Sequence, residues 1–557
     1  GIVMLNNAFA EVGEDDVISL VPMAFMMVFI LLLITIRNFF LVLGSLIALS
    51  VTIIAAMGSA GYLGIMITPP MTSMPVIILT IAVAGSVHLM MSFVKHMRLG
   101  EDKVSSLTNA FVNNKRAIAI AGITTAIGFL GLNFSEVPPF HDLGNVAAIG
   151  TILSLFMTLI FLPAWILVMP INIKKKNTKS LPYMLVFADF VIDKQKSILF
   201  LGTVLAVSLI YLISNNEIND NFVEYFDDRV EVRRDADMVD KLLTGNGIVE
   251  YSFDSKKSGG ISDPSFLRDV DKFVDWMRRQ PEVNNISSIS DTFKRLNKNM
   301  HADNEAFYRL PEEHNLAAQY LLLYEMSLPY GLDLNNQINI DKSKTRVSVN
   351  LKNLSSNEYL DLENRVQEWF KNNTPDIMTE GASPTLMFSH IGKRNAESMI
   401  YGTGITLVVI SVILMLVLKS VNIGVISLMP NLVPAAMSLG IWSLIDGQIT
   451  MAVSVVSSIT LGIIVDDTVH FLAKFQEAYK RMGKSVEDSI RHAFSHIGSA
   501  LVVTSISLTA GFLVLADSVF QINAGMGKLT SIIIVVALVM DLLLLPALLL
   551  VSNREKK

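Results

Sequence analysis

The sequence predicts a polytopic α-helical membrane protein made of two repeated helix bundles with one α+β domain inserted between them. Three observations carry this. Of 557 residues, 52% are hydrophobic and 17% charged, with a mean hydropathy of +0.50, whereas soluble chains carry about 25% charged residues. The charges are also segregated, because residues 215–397 hold 31 of the 50 acidic and 22 of the 44 basic side chains. The apolar parts on either side of that stretch resemble each other. A single soluble enzyme and a secreted disulfide scaffold are thereby excluded. The lack of cysteine removes thiol chemistry, cysteine-ligated zinc and iron–sulfur clusters. A pI near 5.9 leaves no footprint for nucleic-acid binding.

A hydrocarbon core about 30 Å thick needs roughly 20 mainly apolar residues per helix. Eleven stretches qualify in order: 18–36, 39–60, 71–94, 117–134, 146–169, 196–214, 399–418, 421–443, 449–473, 499–516 and 525–551. Their orientation follows from the short loops. Lys95, Arg98, Lys103, Lys115 and Arg116 make one loop basic; Lys174, Lys175, Lys176, Lys179 and Lys194 a second; Lys474, Lys480, Arg481, Lys484 and Arg491 a third. The loops near 61–70, 135–145, 444–448 and 517–524 contain no lysine or arginine. The basic loops, and a tail with Arg554, Lys556 and Lys557, are therefore expected in the cytoplasm, and residues 215–397 outside. Lys393 and Arg394 belong to that domain, whose translocation is largely indifferent to charge.

The repeat is measurable. Val87-His88 aligns with Val469-His470 at an offset of 382, and Gly128-Phe129 with Gly511-Phe512 and Pro163 with Pro546 at 383. Each unit has five helices running in the same direction, a parallel repeat of the kind found in secondary transporters. The expected division is 1–17, a tail of an outer domain; 18–170, the first bundle; 171–195, a cytoplasmic linker; 196–214, a single helix; 215–397, the outer domain; 398–551, the second bundle; and 552–557, a cytoplasmic tail. By the repeat, a further helix and an outer domain of about 190 residues are expected before residue 1, making twelve spans.

Within the outer domain, 246–254, 282–290 and 345–352 read as strands. Residues 263–279 read as a helix capped by Asp263 with Pro264 in its first turn, and 355–372 as one capped by Ser355 or Ser356. Strands alternating with helices predict an α+β sandwich of βαβ type. An apolar helix from Leu316 to Met326 either packs inside the domain or lines a site for a greasy substrate. The domain's net charge of −9 reads as a solvated surface.

Three acids lie well inside the expected spans: Asp466, Asp467 and Asp541. An ionisable group at mid-membrane costs roughly 2.5–3.5 kcal/mol on insertion scales, and adjacent carboxylates oppose each other's ionisation. Such a pair suits a proton relay, the alternative being a packing pair of neutral acids. His470 follows Asp466 by four residues and shares its helix face. It is a relay candidate, although His88 holds the matching position without carboxylates, so packing is an equal reading. Thr504, Ser505 and Ser507 are candidate hydrogen-bond partners, with helix packing as the plainer role. Asp541 is either a second relay member or a buried structural acid. Asp466-Asp467 correspond to Ala84-Gly85, so coupling should be one-sided. No G-x-x-x-x-G-K-[ST] loop is present, so an ion gradient is the expected energy source. The 28 methionines read as helix-packing residues, and no metal is expected.

The stretch GIIVDDTVHFLAKFQEAYKRMGKSVEDSIRHAF, the helix TSISLTAGFLVL and the ending DLLLLPALLL resemble the resistance–nodulation–division superfamily, most closely its MMPL-type branch, which includes mycolic-acid and hopanoid exporters and is related to Patched. MPNLVPAAMSLGIWSLIDG and GITTAIGFLGLNFSEVPPFHDLG are similar to that branch as well. The resemblance implies a transporter rather than an enzyme, no cofactor beyond protons as the coupling ion, and Asp466 and Asp467 as coupling residues. It implies lipids or other hydrophobic molecules as substrate, exported from a bacterial inner membrane toward the periplasm or outer membrane. A periplasmic lipid carrier, an outer-membrane partner and a homodimer or trimer are compatible with it. Alternatives are a non-transporting sterol-sensing or receptor-like protein and a multidrug efflux permease, the latter disfavoured by a domain too short for tripartite docking. A Sec-associated accessory is disfavoured because such proteins are expected to carry a single six-helix unit per chain. The Ala84-Gly85 replacement leaves open which residue partners the aspartates.

Overall fold

All eleven apolar stretches are helices long enough to cross a membrane in the computed structural model, which describes residues 2–175, 182–243, 245–329 and 331–554. Lys176, Lys179, Lys556 and Lys557, counted above toward the basic loops, lie outside the described residues. The first bundle comprises α1 (Ile2–Ile36), α2 (Phe39–Tyr62), α3 (Met74–Leu99), α4 (Lys103–Leu130) and α5 (Pro138–Phe156), which passes through a π turn at Met157–Phe161 into α6 (Leu162–Val168). Most helices outrun their apolar windows, because polar residues continue them and caps close their ends. Asn38 accepts from Leu41 N at the start of α2, and Asp102 from Val104 N and Ser105 N at the start of α4. Gly100 ends α3 at φ 97°, a left-handed position where glycine carries no Cβ penalty.

Within the expected linker 171–195 lies a short helix, α7 (Pro182–Asp193). Twelve residues rise only about 18 Å, too short to span. Ala188 and Val191 are buried, and Asp189 accepts from Arg491 at 2.7 Å. α8 (Gln195–Tyr211) follows as the sixth span.

The chain divides into two compact units, Ile218–Lys393 and the remainder. In the first, α9 (Glu231–Leu242), β1 (Gly247–Asp254), α10 (Pro264–Met277), β2 (Val283–Ser287), α11 (Ile289–Met300), α12 (His314–Ser327), β3 (Lys344–Leu351) and α13 (Ser356–Asn373) follow in order. The sheet order is β1-β3-β2, with β3 antiparallel to both neighbours. β1 and β2 therefore run parallel with β3 inserted, which makes the expected βαβ unit a split one. Alternation buries Val249, Tyr251 and Phe253 on β1 beside Val347 and Val349 on β3. Phe273 of α10 stacks on Phe370 of α13 at 4.9 Å in the same core. The second strand stops at Ser287 rather than 290, because Ser288 caps α11 by accepting from Ser290 N. Asp263 stands at the N-cap of α10 without a capping bond, whereas Ser355 and Glu358 form a full capping box on α13. α12 buries Ala317, Tyr320 and Leu321 and exposes Leu322, Leu323 and Met326.

The second bundle comprises α14 (Pro384–Leu418), α15 (Val421–Ile445), α16 (Met451–Gln476), α17 (Val486–Ala493), α18 (Ser499–Leu515), α19 (Gln521–Val539) and α20 (Leu545–Arg554). Its geometry repeats the first. α1 and α14 each span 35 residues at an offset of 382, so residues 2–17, expected as a tail, form the leading part of a helix equivalent to the start of α14. α19 leads into α20 through a π turn at Met540–Leu544, the counterpart of Met157–Phe161. Both π turns precede a proline, Pro163 or Pro546. Its ring removes one backbone donor and crowds the carbonyl four residues back, and the wider turn absorbs the defect. The bundles meet reciprocally, with α4 on α16 and α3 on α18. At the first contact Gly128 faces Gly462, and Thr125 Oγ1 donates to Gly462 O at 2.7 Å.

Candidate functional site

α16 is apolar all round, which suits burial on every side. Its apolar window is the most enclosed of the eleven, and its start is fixed by Thr450, whose side chain accepts from Val453 N. Asp466 and Asp467 lie one turn beyond the close contact of Gly462 with α4. Both are buried, at 9% and 7% exposure. This puts the acids at the seam between the bundles, where water and lipid are both kept away.

Adjacent residues on a helix point about 100° apart, so the two carboxylates have different surroundings. Asp467 faces α18, where Ser505 Oγ donates to Oδ2 at 2.6 Å and Thr504 Oγ1 to Oδ1 at 3.3 Å. Thr504 divides its single proton with the carbonyls of Ala500 and Leu501, which leaves Ser505 the firmer donor. Ser507, grouped with these from sequence, points elsewhere and donates to Val503 O in its own helix. Asp466 faces α3. Its Oδ1 lies 3.3 Å from His470 Nε2. The His470 ring is stacked on that of His88 with centroids 3.8 Å apart and planes 8° from parallel. His88 and His470 are repeat equivalents, so they meet where the two bundles face one another.

Where Ala84-Gly85 offers no polar neighbour, the basic group beside Asp466 is the His470 imidazole. No lysine or arginine lies within 4.0 Å of Asp466 or Asp467 among the described residues. His88 Nε2, His470 Nε2 and Asp466 Oδ1 are buried without a hydrogen-bond partner among them, and the three lie within 4.8 Å of one another. A metal ligand needs its in-plane lone pair aimed at the ion. Parallel rings direct theirs side by side, so the stack does not converge on one ion position.

Thr468 points away from this group toward the π turn. Its hydroxyl reaches Asp541 Oδ1 at 2.8 Å and Asn431 Oδ1 at 3.2 Å. With one proton it donates to one acceptor at a time. An ionised Asp541 takes that proton; a protonated Asp541 donates instead and turns the threonine toward Asn431. Thr468 and Asn431 escaped the sequence reading, although an Asn between Pro430 and Pro434 in an apolar span was a signal. The equivalents at 382 and 383 are informative. Ser86 and Thr158 keep a hydroxyl contact at 3.5 Å where Thr468 meets Asp541, whereas Thr504 and Ser505 correspond to Ala121 and Gly122, and Asn431 to Leu49. The aspartate pair, its α18 hydroxyls and the Asn431 amide have no polar counterpart in the first half.

Beside the three acids of the expected spans, the helical unit buries one more. Asp16, at 3% exposure, lies in α1 and accepts from Ser518 Oγ at 2.5 Å and Asn523 Nδ2 at 3.1 Å. It was missed because the apolar window begins two residues later. The repeat equivalent of Ser518 is Ser135, which donates to Asn395 of α14 at 2.6 Å. Each long helix is therefore clasped to the other half.

Two cavities enter from the lysine-bearing end. One of about 400 Å³ reaches His88 and is lined by Lys95, Arg98, Asn114, Lys474 and His496 among others. The other, about 310 Å³, reaches His470 past Arg116, Gln476 and Lys480. A third cavity of about 400 Å³ between α8, α15 and α19 is lined by apolar side chains, including Leu205, Met437, Val536 and Met540.

The MMPL family profile matches residues 1–180 and 333–557. A putative membrane protein of Methanocaldococcus jannaschii is 29% identical over 110 residues, 20% of this chain and 28% of its own length. The chain thus matches little more than a quarter of that curated relative. The structure of the hedgehog release protein Disp from the water bear Hypsibius dujardini superposes with TM-score 0.65 at 14% identity, over 98% of this chain and 71% of that one. That of SecDF, a translocon-associated membrane protein of Thermus thermophilus, gives 0.60 at 14% identity, over 99% and 63%. One SecDF chain therefore accommodates both bundles, which overturns the expectation that Sec-associated relatives carry one six-helix unit per chain. At these identities the likeness establishes the fold.

Proposed function

The chain belongs to the MMPL family of multi-pass membrane transporters, and from that premise we propose that it exports lipids or other hydrophobic molecules at the expense of a proton gradient. The observation that carries the proton coupling is the buried Asp466-Asp467 pair at the seam of the bundles, with Asp467 held by hydroxyls of α18 and Asp466 beside an imidazole. Adjacent buried carboxylates oppose each other's ionisation, so the pair is suited to holding and releasing a single proton. Access from alternate sides then turns protonation into relative motion of the bundles. Thr468 and Asp541 extend the site to the π turn. Apolar cargo is supported by the cavity between α8, α15 and α19, whose lining carries almost no polar surface. The lysine-rich end faces the cytoplasm in this reading, the membrane is a bacterial inner membrane, and Ile218–Lys393 stands in the periplasm, where a lipid carrier or outer-membrane partner would receive cargo.

The test uses the full chain reconstituted in phosphatidylethanolamine and phosphatidylglycerol vesicles that enclose a pH-sensitive dye. An imposed proton gradient should be dissipated by the wild type and not by the Asp466→Asn/Asp467→Asn variant. Equal flux from both overturns proton coupling through this pair. No flux from either favours a lipid receptor. Mass spectrometry of co-purifying molecules tests the cargo, and the absence of any lipid enriched over the surrounding bilayer would count against lipid export.

A further inference from the structure

The proton-coupled reading leaves open how a proton leaves a carboxylate that both bundles enclose. One route leads from Asp466 through two histidines. His88 and His470 come from equivalent positions of opposite repeats, and each ring is 2% exposed. Their Nε2 atoms and Asp466 Oδ1 form a buried, unpartnered cluster within 4.8 Å. Each ring also ends a different cavity open at the lysine-bearing end. Apart from the 3.3 Å contact of His470 Nε2 with Asp466 Oδ1, neither Nε2 has a hydrogen-bond partner among the described residues, whereas buried polar groups are as a rule paired.

We propose that the stacked imidazoles are the proton exit from the aspartate pair, and that His88, supplied by the repeat that lacks the acids, delivers the proton to the larger vestibule. The inference rests on the proton-coupled reading above. A proton on Asp466 moves to an imidazole Nε2, leaving a carboxylate and an imidazolium. The imidazolium then releases it to water in the vestibule and returns to neutral imidazole. No other bond changes and no electron is transferred. Rings 3.8 Å apart carry at most one positive charge between them, since two imidazolium ions at that distance repel.

The surrounding charges bear on where the proton is released. Asp466 and Asp467 of α16 lie on one side of the stack. On the other, Lys95 and Arg98 of α3, Lys474 of α16 and His496 of the turn before α18 line the vestibule, while Arg116 of α4 and Glu477 and Lys480 after α16 line the second cavity. Lys474 is paired with Glu477 at 2.7 Å, and Lys95 meets only the Ser495 carbonyl at 3.4 Å. The Asp466 carboxylate thus lies on one side of the stack, and an excess of cationic side chains on the other. That arrangement hinders a proton from entering at the vestibule and eases its loss there. A positive vestibule thus favours release of the proton there, while the imposed gradient decides which way net flow runs.

Vesicle flux with the same dye tests this through His88. In His88→Ala, flux should fall at least about ten-fold and recover when imidazole is added, because the vestibule admits a small base to the vacated position. His88→Phe keeps a stacked ring and should lose flux without rescue while matching the wild type in thermal stability. Wild-type flux in either variant overturns the relay, as does lost flux in His88→Ala that imidazole fails to restore. If His88→Ala does not fold, His88→Phe decides alone. Asp466→Asn/Asp467→Asn run in parallel separates the two levels. Undiminished flux there defeats the parent reading, whereas loss there with full flux in the His88 variants defeats only the exit.

Discussion

The contact of Gly128 with Gly462 makes a quantitative prediction about the seam on which the site depends. A Cβ on residue 128 would lie 2.4 Å from Gly462 Cα and 2.7 Å from its nitrogen. Carbon atoms rest about 3.5 Å apart, so Gly128→Ala forces α4 and α16 to part by about 1 Å. The Thr125 bond to the Gly462 carbonyl, 2.7 Å long, then stretches past hydrogen-bonding range. Overpacking of this kind costs about 1–3 kcal/mol, and an interhelical hydrogen bond in a membrane protein contributes about 0.6 kcal/mol. The expected loss is about 2–4 kcal/mol. Gly525→Ala is the control, since its Cβ meets nothing nearer than Val453 Cγ2 at 3.8 Å; it should be neutral or slightly stabilising. Equilibrium unfolding of both variants in the same mixed micelles measures the difference. Proton flux should fall in Gly128→Ala as well, because Asp466 lies one turn from the displaced contact and a shift of about 1 Å is enough to misalign proton transfer. Equal stability of the two variants would refute the close-contact reasoning.

Other expectations follow from single contacts. Ser505→Ala removes the 2.6 Å donor to Asp467 and should lower proton flux about ten-fold or more, whereas Ser507→Ala, whose hydroxyl serves only its own helix, should leave flux within about two-fold; the reverse order would show that the wrong face of α18 has been assigned. In Ile218–Lys393, burial pushes the Tyr225 and Tyr251 phenols well above their ordinary value of 10, and Tyr359 up to about 12. The unfolded chain then ionises these groups first, so the stability they lend is complete below pH 10 and declines as pH rises through 10 toward 12. Denaturant unfolding of the full chain at pH 9 and pH 11.5 should show the decline. Tyr251→Phe, which also gives up the 2.9 Å bond to Glu363, should show a shallower one, and an unchanged slope in that variant would remove Tyr251 from the account.

Much of the fold could be read because each layer has its own period. The eleven spans followed from length and hydropathy, and the three strands and their helices from alternation and capping residues. What escaped was set by contacts distant in sequence. No local rule tells a reader that β3 inserts between β1 and β2, or that twelve residues from Pro182 fold back against α17 and its following turn. The site divides along the same line. Asp466 and Asp467 stood out because charge in an apolar window is costly, and Ser505 could be named as a neighbour. His88 was aligned with His470 yet its meaning lay in the stacking, which only the crossing of the bundles reveals. Asp16 fell outside a hydropathy window although its helix runs on through it. Ser507 was grouped with Ser505 by composition, and helix geometry turned it away.

The clasp at Asp16 has a consequence in time. Its partner Ser518 is 502 residues further along the chain, and at synthesis rates of 5–20 residues per second Asp16 waits roughly 25–100 s for it. Through that interval the first bundle holds an acid, half of an imidazole stack and a glycine face whose complements have not yet been made. Synthesis therefore leaves these polar groups of the first bundle without their final partners for tens of seconds, the interval in which an insertase or chaperone that shelters polar groups at the membrane would have most to do.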